Sequence, residues 1–415
     1  MRVRWRLGAV LAAVVLAAGC SGTSTGSVDS PEPAPGDAAG HADDGDQHAA
    51  DDGEHATGEG GHGDEQAAGH RDAQRTRSEP LRSGERFTTL AMPAAYDPSA
   101  PLGTGTDDYR CFVLDPKLAE DAFLTGIDVL PGTEDVVHHV ILFRVPPESL
   151  ATARAKDAAE DGQGWTCFGG TGVDSGAQLD DAPWLGAWAP GGGESVFARD
   201  VGVPLEADSQ VIMQVHYNLR AGPEPDVTSA RLRLASGEKD LDALETMLLP
   251  APVELPCRPG HAKGRLCDRA NAVADVVERV GGSGNAANVL HLLCGQQPAG
   301  KVQSCDRTIR APATIRAAAG HMHLLGRSIR VEVNPDTPQA RTVLDIPVWD
   351  FDNQGAKPVE AHPLGRGDVV RVTCEHDQAL RDVLPAFEGQ GERWVVWGEG
   401  TTDEMCLGML LVTRP

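Results

Sequence analysis

The apolar segments of this chain are short, and this limits its fold more than any other feature of the sequence. They are rich in Val, Ile and Leu, and clusters of Gly, Pro, Asp and Asn separate them. Short segments of this composition are typical of β-strands joined by turns. The sequence therefore predicts an all-β fold of antiparallel strands, in a sandwich or barrel. The main segments are Val136–Val145, Val211–Leu219, Ile329–Val333, Val369–Thr373, Trp394–Trp397 and Leu407–Thr413.

Glycine and proline argue against a helical fold, because both interrupt helices. The 415 residues include 48 Gly and 29 Pro. Two stretches still have a helical pattern, Ala270–Val280 and, less clearly, Leu150–Ala159. A shift in composition at Ala235–Asp242 predicts a boundary between two domains. We therefore expect an N-terminal β-sandwich at residues 87–238 and a C-terminal one at residues 239–415.

The first twenty residues are predicted to be an export signal. Three arginines precede an apolar run (residues 7–18) that is too short to span a bilayer. The run ends in Leu-Ala-Ala-Gly-Cys-Ser, which resembles a bacterial lipobox, so Cys20 is the expected lipidation site. Ala17 stands where that pattern usually has Leu. An ordinary secretory signal is the alternative; both place the protein outside the cytoplasm, and lipidation would anchor it to the cell membrane.

Residues 21–86 are predicted to form a disordered tether. From residue 21 to 80 there are 14 acidic side chains against 3 basic ones, and such a segment buries too little apolar surface to offset its chain entropy. Five histidines recur in it every seven or eight residues. They could collect metal ions loosely, or the segment is simply a solvated linker. These histidines are His41, His48, His55, His62 and His70.

Net charge and cysteine count narrow the partners and the compartment. The net charge of -25 argues against nucleic acid as a partner, because phosphate binding requires a positive surface. Besides Cys20 there are eight cysteines, enough for four disulfides in an oxidising compartment. Cys111 and Cys167 are the two in the N-terminal domain and can pair with each other. Four further cysteines allow three pairings, among which the sequence does not choose. These are Cys257, Cys267, Cys294 and Cys305.

Two pairs of histidines lie close together in the sequence outside the tether. His321 and His323 are two residues apart, so on a strand they project from one face, about 6.5–7 Å apart, and can close on one metal ion. His138 and His139 are adjacent and would point to opposite faces. Their side chains can converge only at a kink or at the end of a strand.

His216 lies in a strand with a polar face. Alternation places Val211, Met213, Val215 and Tyr217 on one face of this strand, and Ile212, Gln214, His216 and Asn218 on the other. A histidine flanked by Gln and Asn on an otherwise apolar strand indicates the wall of a polar cavity. Considered alone, His216 could equally be a hydrogen-bonded core histidine.

Four short motifs follow one another in an order that resembles one enzyme family. They are the His-His pair at 138–139, Gln-Val-His-Tyr at 214–217, His-Met-His-Leu-Leu-Gly at 321–326 and Asp-Glu-Met-Cys at 403–406. Across about residues 109–413 this order resembles the copper type II, ascorbate-dependent monooxygenases. The resemblance implies two jelly-roll-like β-sandwich domains, each with one copper ion, facing each other across a solvent-filled cleft.

The resemblance also implies the copper ligands. Three imidazoles suit the electron-donating copper of the first domain, whereas a thioether favours Cu(I) at the oxygen-binding copper of the second. The implied ligands are His138, His139 and His216 in the first domain, and His321, His323 and Met405 in the second. Without the motif, Met405 would be taken for a core methionine. In this family a cysteine beside the ligand methionine pairs with one on the preceding strand, here Cys406 with Cys374.

Three positions beside the second ligand set bear on the substrate. Peptide-amidating members of the family have an Arg, an Asn and a Tyr where this chain has Ala319, Leu407 and Met409. None of these forms a charge-assisted bond to a carboxylate, so peptidylglycine is not the expected substrate. We expect a monooxygenase that hydroxylates a C–H bond of a small, uncharged molecule with O2, two copper ions and ascorbate or another one-electron reductant. The alternative is a surface lipoprotein that stores or delivers copper without turnover.

Overall fold

The computed structural model describes residues 78–101, 106–173, 182–280 and 285–415. The predicted export signal with Cys20 and the five histidines of the predicted tether lie outside the described residues. Within them, no helix combines the length and apolarity that a membrane crossing requires. Most of the regular structure is strand, and the predicted all-β, antiparallel sandwich class is confirmed.

The N-terminal half, residues 85–236, contains ten strands and one helix. Two sheets form it, one in the order β5-β2-β9-β4-β6, the other beginning β1-β10-β3-β8 with β7 beside β3. The elements are β1 (Glu85–Ala91), β2 (Asp107–Leu114), β3 (Ala122–Leu130), β4 (Val137–Val145), α1 (Leu150–Asp157), β5 (Trp165–Thr166), β6 (Trp184–Trp188), β7 (Ser195–Val196), β8 (Val201–Leu205), β9 (Gln210–Asn218) and β10 (Ser229–Ser236).

The C-terminal half, residues 242–413, contains ten more strands and two helices. Its two main sheets have the orders β11-β20-β14-β17 and β13-β18-β15-β16, and β12 pairs with β19. The elements are β11 (Asp242–Pro250), β12 (Glu254–Leu255), α2 (Arg269–Val280), α3 (Ala286–Cys294), β13 (Val302–Thr308), β14 (Ala313–His321), β15 (Gly326–Val333), β16 (Arg341–Ile346), β17 (Lys357–Leu364), β18 (Val369–His376), β19 (Val395–Val396) and β20 (Leu407–Thr413).

Each half encloses a hydrophobic core between its two sheets. In β9 the alternate residues from Val211 to Tyr217 lie in the N-terminal core, as period-two alternation requires. The other face of the same strand carries Gln214 and His216, outside that core. The core of the C-terminal half joins β15 and β18 to β11, β14 and β20, and includes Ile329, Val372 and Leu410.

One sheet passes from one half to the other. Strand β8 pairs in parallel with β11, Val201 opposite Asp242, and so joins both halves into a nine-stranded sheet. The domain boundary predicted at residue 238 falls in the turn between β10 and β11. The two halves are therefore connected through backbone hydrogen bonds as well as through the chain.

Two of the three α-helices in the described residues were predicted from the sequence. Helices α1 and α2 coincide with the two predicted segments. The structure adds α3, whose nine residues bury Ala287 and Leu290. This segment is short and apolar, and such a run does not distinguish a helix from a strand by periodicity.

All eight cysteines of the folded part form disulfides. The pair that the N-terminal domain can form and the pair implied by the family resemblance are both present, and the remaining four cysteines pair locally, each with the next along the chain. The bonds are Cys111–Cys167, Cys257–Cys267, Cys294–Cys305 and Cys374–Cys406. Four disulfides are typical of a protein that folds in an oxidising compartment.

Candidate metal centre

A β-bulge brings the adjacent histidines 138 and 139 to one side of strand β4. In the pairing of β4 with β9, Val137 lies opposite Tyr217 and His139 opposite His216, so His138 is the extra residue. A bulge redirects the side chain of the strand that carries it. It provides the kink that two adjacent histidines need in order to converge.

The three histidines of the N-terminal half meet through the same ring nitrogen. The Nδ1 atoms of His138 and His139 are 3.2 Å apart, those of His138 and His216 are 3.1 Å apart, and those of His139 and His216 are 3.3 Å apart. Three nitrogens this close together could all bind one metal ion at the usual metal–imidazole distance of about 2.0 Å. Three buried imidazoles in this arrangement fit a copper or zinc ion.

The surroundings of His138, His139, His321 and His323 favour the neutral imidazole, which is the state that binds a metal. Burial and the neighbouring histidines lower the pKa of His138 and of His139 well below the usual range. Burial, together with His323, lowers the pKa of His321 to about 3. Burial also lowers the pKa of His323.

Asp107 orients His216 from behind. The Nε2–H of His216 donates to Asp107 Oδ1 over 2.9 Å, which leaves the Nδ1 lone pair facing the other two histidines. Burial opposes ionisation of Asp107, but hydrogen bonds from His216 and from the hydroxyl and backbone N–H of Thr401 hold the pKa of this carboxyl well below its usual range. A carboxylate behind a ligand histidine fixes its tautomer and increases its basicity. Tyr109 stacks on the same ring, with centroids 4.0 Å apart.

The second pair, His321 and His323, offers its Nε2 atoms. His321 ends strand β14, and the two rings have centroids 5.1 Å apart. Gln354 donates its amide N–H to the carbonyl of Phe351, so its Oε1 faces His321 and accepts from Nδ1 over 2.6 Å. The Nδ1 of His323 donates to the carbonyl of Asp403 over 3.3 Å. Both histidines thus keep Nε2 for a ligand.

Glu404 ties the segment of Met405 to the histidine pair. Its buried carboxylate accepts from the backbone N–H groups of His323 and Leu325. The side chain of Met405 is partly buried against the C-terminal core. Its carbonyl accepts from Nε2 of the fully buried His376 over 3.2 Å, and the same nitrogen lies 3.3 Å from Glu404.

The two histidine sets are neighbours. The ring centroids of His139 and His321 are 5.8 Å apart, and Phe351 of the C-terminal half stacks on His138 at 4.5 Å. The solvent-filled cleft that the resemblance implies does not separate these two rings, because two loops of the C-terminal half pack close to the first set. The loop of residues 350–354 stacks Phe351 on His138. The loop of residues 398–405 bonds to Asp107 and Tyr109, which both contact His216. Each loop also contacts one histidine of the second set.

Several residues of this centre carry no signal in the sequence. Asp107, Tyr109 and Gln354 lie tens of positions from the histidines that they contact, and only the folded chain brings them together. For Glu404 the position beside Met405 in the motif was visible, but its role was not. Met322, between the two histidines, is fully buried in the C-terminal core.

Comparison with known proteins adds little. No protein-family model matches the chain, and no curated protein matches it. A solved structure of allantoicase aligns with a TM-score of 0.17 and 12% identity, over 64% of this chain and 74% of that chain. The VP2 subviral particle of infectious bursal disease virus gives 0.19 and 8%, over 81% and 74%. Procruciferin, an 11S globulin from Brassica napus, gives 0.15 and 12%, over 79% and 84%. Likenesses this weak carry no argument about function.

Proposed function

We propose that this protein is a copper-dependent monooxygenase that hydroxylates a C–H bond of a small, uncharged substrate. One oxygen atom of O2 enters the substrate and the other becomes water, with two protons and two electrons consumed. Copper, when bound, supplies the one-electron redox change, and ascorbate or another one-electron donor returns the copper to its reduced state. Two metal sites account for the two electrons.

The observation that carries the proposal is the converging triangle of Nδ1 atoms from His138, His139 and His216, with a second histidine pair beside it. A single imidazole in a core is commonplace, but five neighbouring ones are not required for packing, and the environment lowers the pKa of four of them. The order of the motifs favours copper over zinc, since the methionine of the Asp-Glu-Met-Cys motif would add a thioether to the second pair.

The residues around the ligands would hold them in place through a redox cycle. Asp107 and Gln354 each fix one tautomer, of His216 and His321 respectively. Glu404 binds the backbone of His323. Fixed ligands reduce the reorganisation that accompanies a change of oxidation state.

An apolar surface beside His321 supports an uncharged substrate. Ala319 of β14 lies opposite Met409 of β20, and His321 lies opposite Leu407. Alternation places these four side chains on one face of the paired strands, where Leu407 is buried in the C-terminal core and Met409 is partly buried against it. A substrate reaching His321 across this face would meet no charged group among these positions.

We further propose that the protein works outside the cytoplasm, anchored to the membrane by a lipid on Cys20. Support for an oxidising compartment comes from the four disulfides, and support for the anchor comes from the lipobox-like sequence. The reductant would then have to be an extracytoplasmic donor.

Oxygen uptake tests the enzyme directly. The copper-loaded full chain is given ascorbate and a panel of small uncharged C–H substrates, with carboxylated peptides as the comparison. We expect substrate-dependent uptake that exceeds that of free copper and disappears in His216→Ala and in His323→Ala. His261→Ala, a change at an exposed histidine outside the centre, should leave it unchanged. Tight copper binding without any substrate-dependent uptake would favour storage or delivery and exclude the enzyme.

A further inference from the structure

We propose that Asp107 is a positioning residue that couples the two histidine sets, because one of its carboxylate oxygens holds both a ligand of the first set and the loop that holds the second. This inference rests on the proposed function in one respect, namely that both sets bind copper. It adds that copper binding at one set strengthens copper binding at the other.

Three hydrogen-bond donors from two residues converge on a single carboxylate oxygen of Asp107. Asp107 Oδ1 accepts from His216 Nε2 over 2.9 Å, from the Thr401 hydroxyl over 2.6 Å and from the Thr401 backbone N–H over 3.1 Å. The other oxygen accepts from the Thr106 hydroxyl. His216 and Thr401 belong to different halves of the molecule. A shift of His216 therefore changes the bonds to Thr401 as well.

Hydrogen bonds within the loop of residues 400–403 connect Thr401 to His323. Gly400 and Asp403 bond to each other in both directions, Asp403 N–H to the Gly400 carbonyl over 2.8 Å and Gly400 N–H to the Asp403 carboxylate over 3.1 Å. Arg279 holds the same carboxylate through two bonds. The carbonyl of Asp403 then accepts from His323 Nδ1. The loop is thus a small closed unit with Asp107 at one end and His323 at the other.

Close packing keeps this loop against Asp107. A Cβ atom on Gly400 would lie 3.0 Å from the Asp403 carboxylate and 3.4 Å from that of Asp107. Tyr109, two residues along β2 from Asp107, supplies a second contact. It stacks on His216 and donates its hydroxyl to the carbonyl of Glu399 over 2.8 Å. Two residues of one strand face therefore hold both His216 and the loop.

The consequence is a reciprocal change in affinity. An ion on the first set fixes His216, and through Asp107 and Thr401 it fixes the carbonyl that orients His323. The second set then loses less freedom when it binds its own ion. Coupling between two sites is commonly about 5- to 150-fold in affinity and is equal in both directions. We expect a value of about 5-fold or more.

Thr401 allows the coupling to be weakened without changing a proposed ligand. Thr401→Val deletes the hydroxyl that bonds to Asp107 and keeps the branched shape, whereas Thr401→Ser keeps the hydroxyl. The affinity of the first set for Cu(I) is measured anaerobically against a chromophoric chelator, in the full chain, with the second set intact or disabled by His323→Ala. Disabling the second set should weaken the first about 5-fold or more in wild type and in Thr401→Ser. The factor should be smaller in Thr401→Val, which keeps only the backbone N–H bond of residue 401 to Asp107.

A spectroscopic readout separates coupling from damage to the first site. The Cu(II) hyperfine splitting of the first set should be the same in Thr401→Val as in wild type, because His216 keeps its bond to Asp107. Equal coupling in the Thr401→Val and Thr401→Ser proteins would overturn this inference and leave the proposed function standing. Absence of copper binding at both sets in wild type would overturn both.

Discussion

Removing the carboxylate of Glu404 should destabilise the protein and loosen the second histidine pair. Glu404 is fully buried and accepts from the N–H groups of His323 and Leu325. Glu404→Ala leaves both donors buried without an acceptor. Each such donor costs about 1–3 kcal/mol, so we expect the free energy of unfolding to fall by about 2–6 kcal/mol. His376, 3.3 Å from the same carboxylate, keeps its bond to the Met405 carbonyl and adds little.

Denaturation by guanidinium with the disulfides intact measures this loss, and Glu360→Ala is the matched control. Glu360 also pairs with an arginine, Arg341, but its side chain is 85% exposed, so its removal should change the free energy by no more than about 0.5 kcal/mol. Hydrogen exchange adds a local readout, since the amide of Leu325 should lose protection in Glu404→Ala. A loss in Glu404→Ala as small as that of the control would refute the assignment of Glu404 as the anchor of the pair.

Three further predictions concern His321, Met405 and Cys20. Because the pKa of His321 is lowered to about 3, the unfolded chain binds more protons than the folded one between about pH 6.5 and 3. The thermal midpoint of the metal-free protein should therefore fall as the pH is lowered through this range, and it should fall less steeply in His321→Gln. Parallel curves for the two proteins would contradict the lowered pKa. Met405→His should remove the copper–sulfur contribution from the X-ray absorption of the reduced protein, whereas His216→Ala should retain it; a sulfur signal that survives in Met405→His would mean that another methionine is the ligand. Cys20→Ser should move the protein from the membrane fraction to the soluble one with copper binding unchanged, because lipid chains add about 0.8 kcal/mol of membrane affinity per buried methylene, and unchanged fractionation would favour an ordinary signal.

The sequence predicted strands and faces well, because both depend on local patterns. The segment Leu407–Thr413 coincides with β20. The alternation of β9 correctly predicted that Tyr217 faces the core and that His216, the adjacent residue, lies on the other face of the strand. The alternation of apolar and polar residues predicts the face of the strand on which a side chain lies, but it does not predict which strands pair or in which register. The bulge at His138 depends on the register between β4 and β9, so the sequence could state only that a kink was needed.

What the sequence could not supply is contact between distant segments. Asp107 lies 109 positions from His216 and 294 from Thr401, and no local pattern marks such a pair. The nine-stranded sheet could not be predicted for the same reason, since β8 and β11 pair through only two residue pairs. The closeness of His139 and His321 follows from how loops of one half pack on the other, which strand patterns do not encode.

The stoichiometry of copper tests the central claim most directly. Elemental analysis of the desalted full chain should give two copper ions per protein, and the triple variant His138→Ala, His139→Ala, His216→Ala should give one. Replacing all five tether histidines with alanine should leave the value at two. A value near one in the wild-type protein, or a value that falls when the tether histidines are removed, would contradict the two-site centre.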